Sequence, residues 1–225
     1  MAKGVARPAR KPAKAPARKA AAKTAKRVRR PEEVKGRILK AALEAFANSG
    51  FDGASTREIA KAAGVSISLL VYHFTTKEDL WKAVFDDLFT RGSTANVIRE
   101  EHLGDAPAAE QLRVVIEHIV QLFALNPALH RLMTHEGHQL SERLVWMCDK
   151  YTKKEFVNIC DLIRRGQAEG RVQMLDPERL RFAIIALAAV PFSVAAEYQY
   201  LTKRDPFSPP EIRNAIDFIG RLVFK

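Results

Sequence analysis

The sequence predicts an all-α protein: a small helical domain and a larger one, behind a basic tail. Three observations carry this. Apolar residues recur at three and four along most of the chain after residue 30, helix-capping residues and glycine stops punctuate those stretches, and the positive charge is gathered at one end. With 47% hydrophobic and 28% charged side chains, 225 residues suffice for a real buried core, which excludes a wholly disordered chain.

The net charge of +11 is not spread evenly. Residues 1–30 hold 12 Lys or Arg and no acidic residue, leaving 25 basic against 26 acidic residues in the remainder. This segment, MAKGVARPARKPAKAPARKAAAKTAKRVRR, has almost nothing apolar to bury, and prolines at 8, 12 and 16 block a long helix, so it reads as disordered. A polycation of this kind binds polyanions, nucleic acid first and anionic membrane surface second; the bland alternative is a solvated tail that only aids solubility.

Residues 31–90 follow as a compact unit of four capped segments. Pro31 with Glu32 and Glu33 marks a helix start, proline in the first turn and carboxylates at the positive end of the dipole. Val34, Ile38, Ala41, Ala42, Ala45 and Phe46 continue it to a stop at Asn48-Ser49-Gly50. Ser55 and Glu58 have capping-box spacing and open a short helix that Gly64 ends. Ser66 caps another through His73, and Thr76 with Asp79 opens the fourth. Two short helices joined by a tight, glycine-containing turn are the geometry of a helix-turn-helix.

Residues 91–225 form the second unit. Leu112, Val115, Ile116, Ile119, Val120, Leu122 and Phe123 stripe one long helix, which ends near Asn126-Pro127, a cap and first position for the next. A further helix spans about 141–166, with a stop at Gly170. Asp176-Pro177-Glu178 opens a helix that is apolar on nearly every side, so something must bury it, and Pro191 within it should kink it. Ser208-Pro209-Pro210-Glu211 has capping-box spacing and starts a last helix striped by Ile212, Ala215, Ile216, Ile219, Leu222 and Val223.

Between Ile38 and Phe85 the segments AALEAFANSGFDGAS, TREIAKAAGVS and YHF followed by Lys-Glu-Asp-Leu stand in an order and spacing that resembles the DNA-binding domain of the TetR/AcrR family of bacterial transcriptional regulators. The resemblance covers nearly the full length of that domain. It implies an N-terminal three-helix, helix-turn-helix DNA-binding domain and a C-terminal helical ligand-binding and dimerisation domain. It makes residues 55–62 the first helix of the motif and 66–73 the recognition helix. Thr56 and Arg57 would then face phosphates at a helix N-terminus, Tyr72 and His73 would reach backbone or base edges, and Lys77 would contact a phosphate. Ordinary solvated charges at Arg57 and Lys77, and packing roles for Tyr72 and His73, are the alternatives. Ile59, Ala63, Val65, Leu70 and Phe74 belong to the core.

The chain departs from the family pattern in the recognition helix, which reads Ile67, Ser68, Leu69 and Val71 and contains no Lys or Arg. The bidentate guanine contact is therefore missing. Readout falls to Ser66, Ser68, Tyr72 and His73, with Ile67 or Leu69 against thymine methyls. Residues 32–90 hold seven basic and nine acidic residues, so the tail is expected to supply much of the electrostatic affinity, through Lys23, Lys26, Arg27, Arg29 and Arg30 on phosphates.

By the same resemblance the last two helices would form a homodimer through Ile184, Leu187, Phe192, Ile212, Ile216, Ile219 and Val223, setting two recognition helices one DNA turn apart. The bland alternative is that they complete the protomer's own core. The helices at about 92–170 would enclose a small-molecule pocket lined by Phe123, Met133, His135, His138, Trp146, Met147, Tyr151 and Phe156, a mixture suited to a largely apolar effector with one or two polar handles. Plain core packing is the alternative for each.

Other chemistry is not expected. His130, His135, Glu136 and His138 are dense enough to suggest a metal, yet His130 falls far round the helix from His135 and no cysteine accompanies them, so no metal or cofactor is assigned. Cys148 and Cys160 are read as free thiols in a reducing compartment, and Glu142, Arg143 and residues 150–154 as solvated faces or local ion pairs. There is no phosphate-cradling glycine loop, nucleophile elbow or supported carboxylate pair, so no enzyme is expected. The longest uncharged run, 182–196, is too short to span a bilayer and no signal peptide is recognisable, which suggests a cytoplasmic, nucleoid-associated bacterial protein. The expected function is a ligand-responsive repressor on an inverted-repeat operator. The competing one is a nucleoid-type DNA-coating protein dominated by the tail.

Overall fold

The computed structural model describes Met1, the backbone of residues 17–225, and the side chains of residues 31–90 and 104–225. Eleven α-helices follow one another there: α1 (Ala17–Gly53), α2 (Thr56–Ala63), α3 (Ile67–His73), α4 (Lys77–Leu103), α5 (Ala108–Leu125), α6 (Pro127–Gly137), α7 (Glu142–Met147), α8 (Lys153–Ala168), α9 (Pro177–Ser193), α10 (Ala195–Thr202) and α11 (Pro209–Val223). Among the described residues β structure is confined to one isolated bridge, Val172 to Phe224, which ties the chain end to the loop after α8.

The start of α1 differs from expectation. Its backbone is helical from Ala17, so Pro31 lies inside the helix and does not open it, and residues 17–30 are not an irregular tail. From Ala17 to Arg30 the chain is mostly Ala, Lys and Arg with no proline, all strong helix formers, and the exposed Pro31 costs one backbone hydrogen bond without ending the helix. Residues 2–16, and the side chains of Lys23, Lys26, Arg27, Arg29 and Arg30, lie outside the described residues. The far end of α1 does stop where glycine permits it: Gly50 adopts φ 68°, ψ −179°, and breaks the helix there.

A core of Ile38, Ala42, Phe46, Ile59, Leu70, Leu80, Trp81 and Phe85 unites α1 to α4. α4 then runs on to Leu103, crossing the expected boundary at 90 as one unbroken helix. Behind it α5 is the central post, packed by α8, α9 and α11, while α6 lies against α1. Pro127 stands in the first turn of α6, as expected. The helix expected over 141–166 is present but not uniform, because Cys148–Thr152 widens into a π-helical turn between α7 and α8.

Two expectations about α9 and α11 are met only partly. α9 is followed by an 80° bend into α10 at Val194, three residues past Pro191, whose missing N–H leaves the carbonyl one turn back without its helical partner. The capping box at Ser208 does not form. Glu211 instead accepts the Tyr198 hydroxyl at 2.6 Å and Ser208 Oγ donates to the Asp205 carbonyl at 2.8 Å, so both side chains are used by the α10 to α11 connection.

Candidate nucleic-acid interface

The reading head is built by caps. Ser55 Oγ accepts from Glu58 N at 3.5 Å to start α2, though the reciprocal half of the expected box is not formed. At its end Gly64 turns left-handed, φ 66°, and the N–H groups of Gly64 and Val65 close on Lys61 and Ala60 carbonyls at 3.1 and 3.0 Å, a Schellman stop that only glycine fits without strain. Two residues on, Ser66 Oγ accepts from Leu69 N at 3.2 Å and starts α3. Thr76 and Asp79 form a complete capping box at the start of α4, each bond 3.0 Å.

These turns put one face of α3 inward and one outward. Ile59, Ala63, Leu70 and Phe74 are buried and Val65 packs on them, as expected. Ser66, Ile67, Ser68, Leu69 and Tyr72 are exposed, with Tyr72 at 82% and His73 half-buried beside it, their rings edge-on at 5.4 Å. Arg57 is exposed on the first turn of α2, next to the half-buried Thr56. Lys77 is more engaged than expected: its Nζ donates to the Asp52 carbonyl at 3.2 Å and sits 4.7 Å over the Phe51 ring.

Phe51 carries a second cation on it. The Arg143 guanidinium lies 3.9 Å from the ring centroid, and Arg143 Nε donates at 3.0 Å to Glu136, a buried carboxylate that also accepts Ser141 Oγ at 2.7 Å. Of the two expectations for Arg143 the local ion pair is the one that forms, with Glu136, and through Phe51 the side chain also joins α7 to the DNA-binding unit. Beside this junction lies a cavity of about 180 Å³ lined by Ser49, Gly50, Phe51, Asp52, His135, Glu136, His138, Gln139 and Arg143.

The eight side chains expected to line one pocket are not brought together. His135 and His138 line the junction cavity; the other six do not. Trp146 and Tyr151 pack on α4, Trp146 with Trp81 at 5.7 Å and Tyr151 stacked on Phe89 at 4.3 Å. Phe123 meets His130 edge-on at 5.7 Å, Met147 is buried, Met133 packs on the core, and Phe156 faces Phe182. The bulk of these residues follows the alternative of core packing, because helical spacing fixes a face but not what another helix lays against it.

The expected dimer residues also divide. Ile184, Phe192, Ile219 and Val223 are buried in the protomer's own core, and Leu187, Ile212 and Ile216 are half-buried against it. The apolar side chains that these helices leave outward are others: Phe182, 62% exposed, with Val190 and Val194 on and beside α9, and Phe218, 56% exposed, with Leu222 on α11. An all-round apolar α9 offers no pattern from which the inner side could be chosen.

Asp86, which sequence reasoning missed, forms a cluster with Lys150 and Tyr151 where α4 meets the π turn. Asp86 accepts hydrogen bonds from Tyr151 Oη and Lys150 Nζ, which hold its carboxyl below its ordinary value despite partial burial; burial and that carboxylate drive the Tyr151 phenol upward. Lys150 also lies 4.9 Å over Trp146. Spacing offers no signal for a pair 64 residues apart. Among the histidines, His130 Nδ1 is 2.8 Å from Ser193 Oγ, and burial pushes its pKa down.

A glycine-stopped helix, a serine-capped helix with an outward polar and aromatic face, and a larger helical body behind them define a helix-turn-helix DNA-binding regulator. Residues 38–84 match the family model described as bacterial regulatory proteins, tetR family, and residues 109–223 match that of a tetracyclin repressor-like C-terminal domain. The chain belongs to the TetR family. It is 35% identical over 162 residues to the HTH-type transcriptional regulator RutR of Escherichia coli O157:H7, covering 72% of this chain and 74% of that one. The fold is shared with HlyIIR, a hemolysin II transcriptional regulator (TM-score 0.63, 21% identity, 84% of this chain and 97% of that one), and with AibR in complex with isovaleryl coenzyme A and operator DNA (TM-score 0.63, 19% identity, 84% and 97%). A DNA-coating protein dominated by its tail is not favoured by these relatives. No single helix among the described residues is long and apolar enough to cross a membrane.

Proposed function

We propose that this regulator is a cytoplasmic repressor that binds an inverted-repeat operator as a homodimer and is released by a small, largely apolar effector. The carrying observation is the outward face of α3, where Ser68 and Tyr72 are exposed beyond the capping Ser66 while Leu70 anchors the helix from behind. Thr56, Arg57 and Lys77 are assigned to phosphates, and Ser66, Ile67, Ser68, Leu69, Tyr72 and His73 to the groove. Lys77 reaches a phosphate by exchanging its Asp52 carbonyl for the stronger, charged acceptor.

The homodimer is supported by the apolar side chains that the neighbouring helices α9 and α11 leave exposed, which a two-fold axis can cover with their copies. Binding of a small-molecule ligand is supported by AibR, a protein of the same fold that takes isovaleryl coenzyme A. Release requires an effector with different affinities for two arrangements of the helices. Trp146 and Tyr151 are the two candidate residues packed on α4, the helix that begins at Lys77, so an effector parting them from Phe85 and Phe89 would shift the reading head.

Selection from a random DNA pool at near-physiological salt tests the proposal. Enrichment of one inverted repeat, with a dimer bound per site, is expected. Binding without any enriched sequence would sink it.

A further inference from the structure

The recognition helix carries aliphatic surface that the protein itself does not use. Ile67 is 41% exposed, Leu69 37% and Val71 49%, and none of the three joins the core that Leu70 anchors. At about 100° per residue, Ser68 and Tyr72 point roughly opposite Leu70, Val71 flanks Ser68 and Leu69 flanks Tyr72 on that outward face, whereas Ile67 lies nearer the buried side. Ile67 and Val71, four apart, make one continuous apolar ridge along the helix.

On the basis of the operator-binding reading above, we infer that Val71 is a specificity-determining residue, reading a thymine through its C5-methyl group. The thymine methyl is the apolar feature of the major-groove edges, and α3 has no Lys or Arg with which to take guanine instead. Val71 suits this contact because its β-branched side chain is stiff: its methyls are held ready with little rotamer freedom to lose. The flanking cations Arg57 and Lys77 fix the helix on phosphates, leaving Ser68 and Tyr72 for polar edges and the ridge for methyls. Sequence reasoning placed the methyl contact at Ile67 or Leu69; Ile67 lies toward the buried side, and Leu69, as far round the helix from Leu70 as Val71 but on the other flank, is less exposed, 37% against 49%, which moves the contact to Val71.

The test separates this inference from the reading beneath it. With the full chain and its selected operator, each half-site thymine is replaced singly by deoxyuridine, which removes only the methyl, and affinity is measured for the wild type, Val71→Ala and Val71→Thr. One replacement should weaken the wild type by about 3- to 10-fold, while Val71→Ala should already bind the thymine operator weakly and respond to that same replacement by less than about 2-fold. Val71→Thr, which trades one methyl for a hydroxyl, should fall between. Thermal unfolding of the variants, expected to match the wild type because Val71 is outside the core, guards against a folding defect. An operator recovered but with no methyl-sensitive thymine, or with equal sensitivity in wild type and Val71→Ala, overturns this inference alone. Failure to enrich any operator overturns the operator reading as well.

Discussion

His130 is a partly buried imidazole whose ring sits against Phe123 and whose Nδ1 is spent on Ser193, so the folded protein resists protonating it. The unfolded chain takes that proton near the ordinary value of about 6.5. Stability is therefore fully present above about pH 6.5 and falls as pH drops toward the depressed folded value. The Asp86, Glu169 and Glu211 carboxyls, all held low, keep their contributions above the ordinary carboxylate range and lose them as pH falls through it toward their depressed folded values. The melting temperature should decline from pH 7.5 to 5.5 in the wild type and much less in His130→Gln; parallel curves would show that another group is responsible. At the same scale, Phe51 holds Lys77 and Arg143 on its ring. Phe51→Leu keeps apolar bulk but removes two cation–π contacts, and should cost about 1–2 kcal/mol in urea unfolding. Because Lys77 is a proposed phosphate contact, operator affinity should change in the same variant.

Caps decide where the elements of the reading head begin. Thr76 and Asp79 satisfy each other's backbone N–H groups, and their box sets the start of α4 at Lys77. Thr76→Ala should cost about 1 kcal/mol, read as a lowered urea midpoint with unchanged slope. These local signatures, Ser55, Gly64, Ser66, Thr76 and Gly50 among them, were legible in the sequence because each acts within a few residues of itself. The cap of α5 was not. Pro107 offers no side-chain acceptor, and the N–H groups of Ala108 and Ala109 donate instead to the Glu169 carboxylate at 2.7 and 3.2 Å, bonds that hold its pKa down. That partner comes from the end of α8, some 60 residues on, and nothing local announces it. The failed Ser208 box has the converse cause: local spacing permitted it, and Tyr198 competed successfully for Glu211.

Over the whole molecule the expected behaviour depends on surfaces that the protomer leaves open. Phe218→Glu places a charge among the exposed apolar side chains of α11 without touching the buried Ile219. It should halve the mass seen by light scattering and weaken operator binding, while leaving the helical content intact; an unchanged mass would place the interface elsewhere. Deleting residues 1–30 tests the other open question. If about six tail cations meet phosphates, the slope of log affinity against log salt should lessen by roughly five units, at about 0.9 per contact, with the preferred sequence unchanged.

What the sequence by itself determined is the all-helical class, the order of nearly every helix, the helix-turn-helix and its capped boundaries, and the family. The class, the helix order and the caps rest on periodicity and on interactions a few residues long, and the family on the resemblance of the motifs between Ile38 and Phe85. For the reading head the inner side was legible, Ile59, Ala63, Leu70 and Phe74 being buried as expected, but for α9 and α11 tertiary structure alone decided which side is inside. It turned Ile184, Phe192, Ile219 and Val223 inward and left Phe182 and Phe218 outside, dispersed the expected pocket residues into packing, joined Asp86 to Tyr151, and set Val71 beside Ser68 and Tyr72 on the outer face of α3. The reason is physical: a helix repeats its stripe from sequence alone, but an apolar residue is buried only when another element arrives to cover it.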